Sequence, residues 1–286
     1  MNIDVVLRGD TRNYLSKVHA NFNKMILAPL RKSGHNVRVF TYMWYENGDT
    51  TPYDEINKKI GVNDTRLYDK DTLYDTDGYR QWDVFTHILQ DIEKTQSDYT
   101  TDVLFICRFD TIWKQPITNW LRVEDKSWDF MLPWKEYKRW WKQHNRVSDT
   151  FHAVRLKDDN LSKVINSINS DSEWNNIRQF LNSINPTDRQ DISNVTGARK
   201  PYNSSDWHFK WYVDSTVGHH IYRPLLRNGL NVVFSANGYY DSNTYNTNGM
   251  FGTNPTLTKN PIYLLVHPTG AIIYHHNDVK IGNLIK

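Results

Sequence analysis

The chain contains one cysteine, Cys107, in 286 residues, so it has no intrachain disulfide. That scarcity points to a reducing compartment. Long apolar runs are missing too. None approaches the roughly 18 consecutive apolar residues of a membrane-spanning helix. The opening "MNIDVVLRGD" lacks the basic stretch and apolar core of a secretory leader, so the expected location is cytoplasmic, the host-cell cytoplasm if the source is viral. Without a secretory route, the Asn-x-Ser/Thr sequons at Asn63, Asn160, Asn194 and Asn203 carry little meaning. No His-x-x-x-His or Cys-x-x-Cys spacing occurs, which disfavours zinc. A Gly-x-Ser-x-Gly elbow and a Walker loop are also absent, which leaves serine hydrolases and P-loop enzymes without support. No internal repeat is visible. The net charge is only +3, with both signs mixed along the chain, so no nucleic-acid footprint is present.

Aromatic residues, by contrast, are abundant: they make up 14 % of the chain, with 11 Trp and 17 Tyr. Such rings can stack on sugars or bases, although most are expected to pack the core.

The first 117 residues alternate regularly. "IDVVLR" (3–8) reads as a strand that meets a turn at Gly9-Asp10. From Thr11 to Ser33, Leu15, Val18, Phe22, Met25, Ile26 and Leu30 recur at helical spacing. Asp10 or Thr11 suits the start of this helix and Gly34 its stop, while Pro29 is expected to kink or shorten the last turn. "NVRVFTYMW" (36–44) predicts a strand, 53–60 a short helix and 66–68 a short strand. Tyr79 to Lys94 repeats the helical period through Trp82, Phe85, Ile88, Leu89 and Ile92. It delivers the chain into "DVLFICRFD". Strand–helix alternation of this kind predicts parallel strands with helices on both faces.

Beyond residue 117 the pattern loosens. Strands are expected in "SWDFMLPW", "VSDTFHAVRL", "NVVFS" and, as a pair turning at Pro268-Thr269-Gly270, in "IYLLVHPTGAIIYHH". "WKEYKRWWKQHNR" (134–146) predicts an amphipathic helix with Trp134, Tyr137 and Trp141 on one side and Lys135, Lys138, Arg139 and Lys142 largely on the other. Further helices are expected within 158–185 and in "STVGHHIYRPLLRNG", with loops over 185–206 and 237–255.

Ligands of open parallel sheets bind beyond the carboxyl ends of the strands. Two of these exits carry Arg-x-Asp: Arg8-Gly9-Asp10 and Arg108-Phe109-Asp110. In the first, Gly9 permits close backbone approach, Arg8 and Arg12 suit phosphates, and the following helix start favours an anion. In the second, Asp110 suits a divalent metal and Arg108 a phosphate or carboxylate. The plainer alternative is a local Arg108–Asp110 ion pair at a loop entrance. Asp75-Thr76-Asp77 is a literal Asp-x-Asp, but it precedes a helix and reads mainly as an acidic helix start. Asp149 and Asp206 are candidates for a general base, with ordinary turn or cap roles as the alternative.

The helix containing Gln81-Trp82, followed by an apolar strand closing on Arg-x-Asp and then Thr111-Ile112-Trp113, resembles GT-A-type glycosyltransferases. Among them it is most similar to the small soluble enzymes encoded by large DNA viruses of algae and protists. The resemblance covers about residues 1–155 and implies a GT-A-like, mostly parallel α/β sheet with helices on both faces and a mixed C-terminal part. It implies one domain over 1–286, with nucleotide-sugar binding in about 1–117 and acceptor binding in about 118–286. The implied activity moves a sugar from a nucleoside-diphosphate sugar, UDP-sugar favoured, to a glycan or glycoprotein acceptor. The implied nucleotide contacts are Arg8, Gly9, Asp10, Arg12, Arg108 and Asp110. Mn²⁺ or Mg²⁺ would sit on Asp110, with a C-terminal histidine, His267 or His275, completing its shell. The family's motif is Asp-x-Asp at this strand exit, whereas here Arg108 stands in the first position. A nucleotidyltransferase and a non-catalytic carbohydrate-binding protein are the rival readings.

Overall fold

A computed structural model of the chain describes residues 1–11, 14–45, 51–69, 77–95, 100–136, 147, 150–169, 217–237, 239–240, 263–266, 272–273 and 280–285. Strand β1 spans Asn2–Gly9 and is buried from Ile3 onward. A strand covered on both faces is expected to read as one apolar run, not as an alternation. The first helix, α1, is a succession of turns: Tyr14–Val18 and Asn23–Leu27 are π-helical, His19–Phe22 and Ala28–Lys32 α-helical. Pro29 does not shorten it. The wide turn Asn23–Leu27 lies immediately ahead of the proline's segment, and the helix runs on to Lys32.

Gly34 stops α1 as expected, at φ +81°. Its N–H donates to the Arg31 carbonyl at 3.0 Å, and the N–H of His35 to that of Leu30 at 3.2 Å. This is a Schellman closure, and it needs the left-handed conformation that glycine adopts without strain.

The chain continues through β2 (Asn36–Tyr45), α2 (Thr51–Ile60), β3 (Asp64–Asp69), α3 (Asp77–Thr95) and β4 (Val103–Arg108). Next come β5 (Thr111–Trp113), β6 (Phe130–Leu132), β7 (Lys135–Glu136), β8 (Phe151–Arg155), α4 (Asn160–Asn169) and α5 (Val217–Arg227). The last strands are β9 (Val232–Asn237), β10 (Tyr239–Tyr240), β11 (Tyr263–Val266), β12 (Ile272–Ile273) and β13 (Lys280–Ile285).

Eight strands form the main sheet in the order β13-β9-β6-β8-β4-β1-β2-β3. β1 pairs in parallel with β2 and β4, and β2 with β3. β8 runs against both β4 and β6, while β6 and β9 are parallel and β13 opposes β9. Only β8 and β13 therefore oppose the common direction. The result is the expected mostly parallel α/β sheet with helices on both faces, and strands of both sequence halves share it. A separate antiparallel sheet joins β5, β11 and β12, which accounts for the expected late strand pair.

Each sheet face carries its own apolar layer. On one side α1 and α2 bring Tyr14, Phe22, Ile26, Leu30 and Ile56 onto Val5, Leu7, Phe105 and Cys107. On the other, α3, α4 and α5 bring Phe85, Ile88, Val164 and Leu225 onto Val6, Leu104 and Ile106. Trp113, Trp120, Trp128 and Trp134 are all buried, and the Trp113 and Trp120 rings stack at 5.2 Å.

The expected helix at 134–146 is corrected at its start. Trp134 is core, and Lys135–Glu136 form a strand paired with Tyr239–Tyr240, inside the expected 237–255 loop. A backbone partner distant in sequence overrides local helical periodicity here. Residues 137–146 lie outside the described part. β13 had no sequence expectation; Gly282 interrupts its apolar pattern.

Candidate functional site

β1 and β4 leave the sheet side by side. In register, Arg8 of β1 stands between Tyr42 of β2 and Arg108 of β4, and Tyr42 stands beside Arg66 of β3. Side chains in register on parallel strands share a face. Arg66, Tyr42, Arg8 and Arg108 thus form one row on the face covered by α3. Three of the four are cationic at physiological pH.

Gly9, the next residue, is buried at φ +106°, a conformation any L side chain would strain. Backbone at this strand exit can therefore approach a ligand closely. Asp10 is half-buried.

Alternation fixes the second triplet. Phe109 turns inward, fully buried, with its ring edge-on to Tyr14 at 5.2 Å. Arg108 and Asp110 flank it and remain partly exposed, their side chains 26 % and 20 % accessible. They are joined by a bidentate pair: Arg108 Nε donates to Asp110 Oδ1 at 2.9 Å and Nη2 to Oδ2 at 2.6 Å. The local ion pair weighed as the plainer alternative is therefore present. Arg8, in contrast, is only 1 % exposed, so its charge reaches the exit through space more than by contact.

The turn behind this pair is fastened from α1. Asn21 Nδ2 donates to the Trp113 carbonyl at 2.9 Å, and the Trp113 N–H donates to Asn21 Oδ1 at 2.6 Å. One side chain thus pairs with β5 as a strand would. Periodicity gave no signal for Asn21, because its partner lies 92 residues away. At the other end of the row, Asp91 of α3 accepts from Arg66 Nη1 at 2.8 Å and from the Tyr42 hydroxyl at 3.1 Å. Burial, then the Asp91 charge, pushes the Tyr42 hydroxyl's pKa up. Burial likewise pushes up the Cys107 thiol, against the opposing pull of Arg8, so it remains a neutral core residue.

The residues described do not fit a divalent cation. Both oxygens of Asp110 already accept from Arg108. Among the described residues no group of three or more His, Cys, Asp or Glu side chains could hold a metal ion. A cation would have to strip the guanidinium from its carboxylate before Asp110 could serve as a ligand.

Of the expected contacts, Arg8, Gly9, Asp10, Arg108 and Asp110 come together at the two strand exits. Arg12, Asp149, Asp206, His267 and His275 lie outside the described residues, as do Asp75 and Thr76. Asp77 is the first residue of α3, in keeping with an acidic helix start.

No protein-family model matches the chain, and no curated protein sequence matches it. Among solved structures, it is similar to a glycosyltransferase involved in glycosylation of the major capsid of PBCV-1, at 13 % identity and a TM-score of 0.34. That match covers 61 % of this chain and 70 % of the other. It is similar to the inositol-1-phosphate CTP transferase of T. maritima, at 11 % identity and 0.37, over 84 % of each chain. It is also similar to a Drosophila β1,4-galactosyltransferase 7 variant in complex with manganese, UDP-Gal and xylobiose, at 10 % identity and 0.32. There it covers 56 % of this chain and only about half, 51 %, of the other. At such scores these likenesses stand as findings alone, and the fold rests on the strand order and directions given above. Among the described residues, no helix is long and apolar enough to cross a membrane.

Proposed function

We propose that the chain is a glycosyltransferase that moves a sugar from a nucleoside-diphosphate sugar, UDP-sugar favoured, to a glycan or glycoprotein acceptor. The observation that carries this reading is the pair of adjacent strand exits. Backbone at Gly9 that only glycine tolerates lies beside a row of arginines at the carboxyl edge of a parallel sheet. Such an edge is where open α/β sheets bind ligands, and fixed positive charge there suits a diphosphate.

Arg108 offers the contact to phosphate, with Arg12 as a second candidate, while Arg8 adds its field from beneath. In the reaction, an acceptor hydroxyl oxygen bonds to the anomeric carbon as that carbon's bond to the β-phosphate oxygen breaks. The bonding pair leaves with the nucleoside diphosphate. In a single displacement the hydroxyl proton passes to a carboxylate, for which Asp149 and Asp206 are the candidates.

The rivals fare less well. A nucleotidyltransferase would be expected to open on a glycine- and lysine-rich phosphate loop, whereas residues 8–12 read Arg-Gly-Asp-Thr-Arg. A carbohydrate-binding protein would present exposed rings, and among the described residues Trp113, Trp120, Trp128 and Trp134 are all core. Incubation with a panel of nucleoside-diphosphate sugars, read by mass spectrometry, separates the three. Release of nucleoside diphosphate is expected. Formation of pyrophosphate from a nucleoside triphosphate and a sugar phosphate would favour the nucleotidyltransferase, and no turnover with any donor would sink the enzyme reading.

A further inference from the structure

We propose that this site binds a nucleoside diphosphate without a divalent cation, Arg108 taking the cation's electrostatic place and Asp110 aiming it. The inference rests on the nucleotide-sugar reading above.

Formal charge is the first argument. In an Asp-x-Asp site, two carboxylates are cancelled by one divalent cation, whose open coordination positions then receive phosphate oxygens. Here Arg108 and Asp110 cancel each other directly, and Arg8, in register on the neighbouring strand, is matched formally by Asp10 two residues on, so the two exits are neutral without any metal. The strand exit is thus no less attractive to a diphosphate without metal than an Asp-x-Asp site is with it.

Geometry is the second. A guanidinium carries five N–H donors in a planar fork, and Asp110 engages two of them. Held along that edge, the fork has a fixed direction, the condition under which arginine matches phosphate oxygens best. Of the two described arginines at these exits Arg108 is the accessible one, since Arg8 is 1 % exposed and the Arg108 side chain 26 %. The mount is stiff: Phe109 is locked in the core between the paired residues, and Asn21 clamps the strand that follows. Asp110 is accordingly a positioning residue for Arg108, not a metal ligand.

The test is isothermal titration of the full chain with UDP, GDP, CDP and ADP, once in EDTA and once in millimolar Mn²⁺. At least one diphosphate is expected to bind in both, with affinities within about twofold of each other. Arg108→Ala should weaken that binding about 10- to 100-fold in either buffer, the loss expected for a charge-assisted phosphate contact. Arg108→Asp, which restores the two-carboxylate pattern, should bind only when Mn²⁺ is present.

Binding by the unmodified chain that requires Mn²⁺, and that Asp110→Asn abolishes, would overturn the inference while leaving the nucleotide-sugar reading intact. An Arg108→Asp chain that binds in EDTA at unchanged affinity would also overturn it, by moving the contact elsewhere. If no diphosphate binds in either buffer, the nucleotide-sugar reading falls and this inference falls with it. The comparison of buffers on the unmodified chain decides the matter even where a variant fails to fold.

Discussion

Two arginine–aspartate pairs stand on one face of the same sheet, at opposite ends of its strands. At the amino ends, Asp4 of β1 is fully buried and Arg38 of β2 meets it at 2.8 and 2.7 Å, with Thr101 adding a third donor at 2.7 Å. At the carboxyl ends, Arg108 and Asp110 pair just as squarely, but across two residues of one turn, and both remain partly exposed. The distances barely differ; the environments do. The first pair joins strands distant in sequence and is closed over. A buried pair of that kind is costly to break, because the surviving charge is stranded. The second spans no tertiary distance and faces outward, so it contributes little to stability. What the second pair does fix is the direction of the Arg108 guanidinium.

Substitutions can break that contrast, and Asp4→Asn is expected to do the most damage. It leaves Arg38, only 19 % exposed, without its counter-charge and should cost about 3 kcal/mol in urea unfolding. A loss below about 1 kcal/mol would mean the two pairs do not differ as described. Next in size is Asn21→Ala, which frees the backbone N–H and carbonyl of buried Trp113. Unsatisfied buried groups of this kind cost about 2 kcal/mol together, and the slackened turn should also weaken diphosphate binding. Unchanged stability and binding would show that the clamp does not hold the site. The smallest stability change is expected at the exit itself, where Arg108→Ala should shift unfolding by less than about 1 kcal/mol. A larger shift would make that pair structural and remove the contrast.

Acid adds a weaker, global effect through His87. Its pKa is lowered by burial, then by Arg66. The unfolded chain therefore takes up a proton near pH 6.5 that the folded chain accepts only at lower pH. Stability attributable to this residue is full above about pH 6.5 and falls as the pH drops below it.

Much of this architecture was legible beforehand. Val5, Leu7, Phe105 and Cys107 interrupt no apolar run, and Val18, Phe22 and Ile26 keep a helical period, so β1 to β4 and their helices declared themselves. Arg8, Gly9, Asp10, Arg108 and Asp110 stood out for the opposite reason: each breaks an apolar segment where a strand ends. Less legible were features that depend on distant partners. Lys135 and Glu136 continue a helix-like pattern yet pair with Tyr239 and Tyr240. Asn21 is one asparagine on a helix until Trp113 arrives beside it.

By itself, then, the sequence determined the strand–helix alternation, the parallel half of the sheet and the two polar strand exits, because periodicity and the cost of burying charge are local properties. Only the tertiary structure decided that Arg8 sinks beneath the exit while Arg108 stays accessible, and that Asp110 holds a guanidinium with both oxygens. Register between strands and the direction of a side chain out of a turn depend on the surrounding packing, which no local pattern encodes.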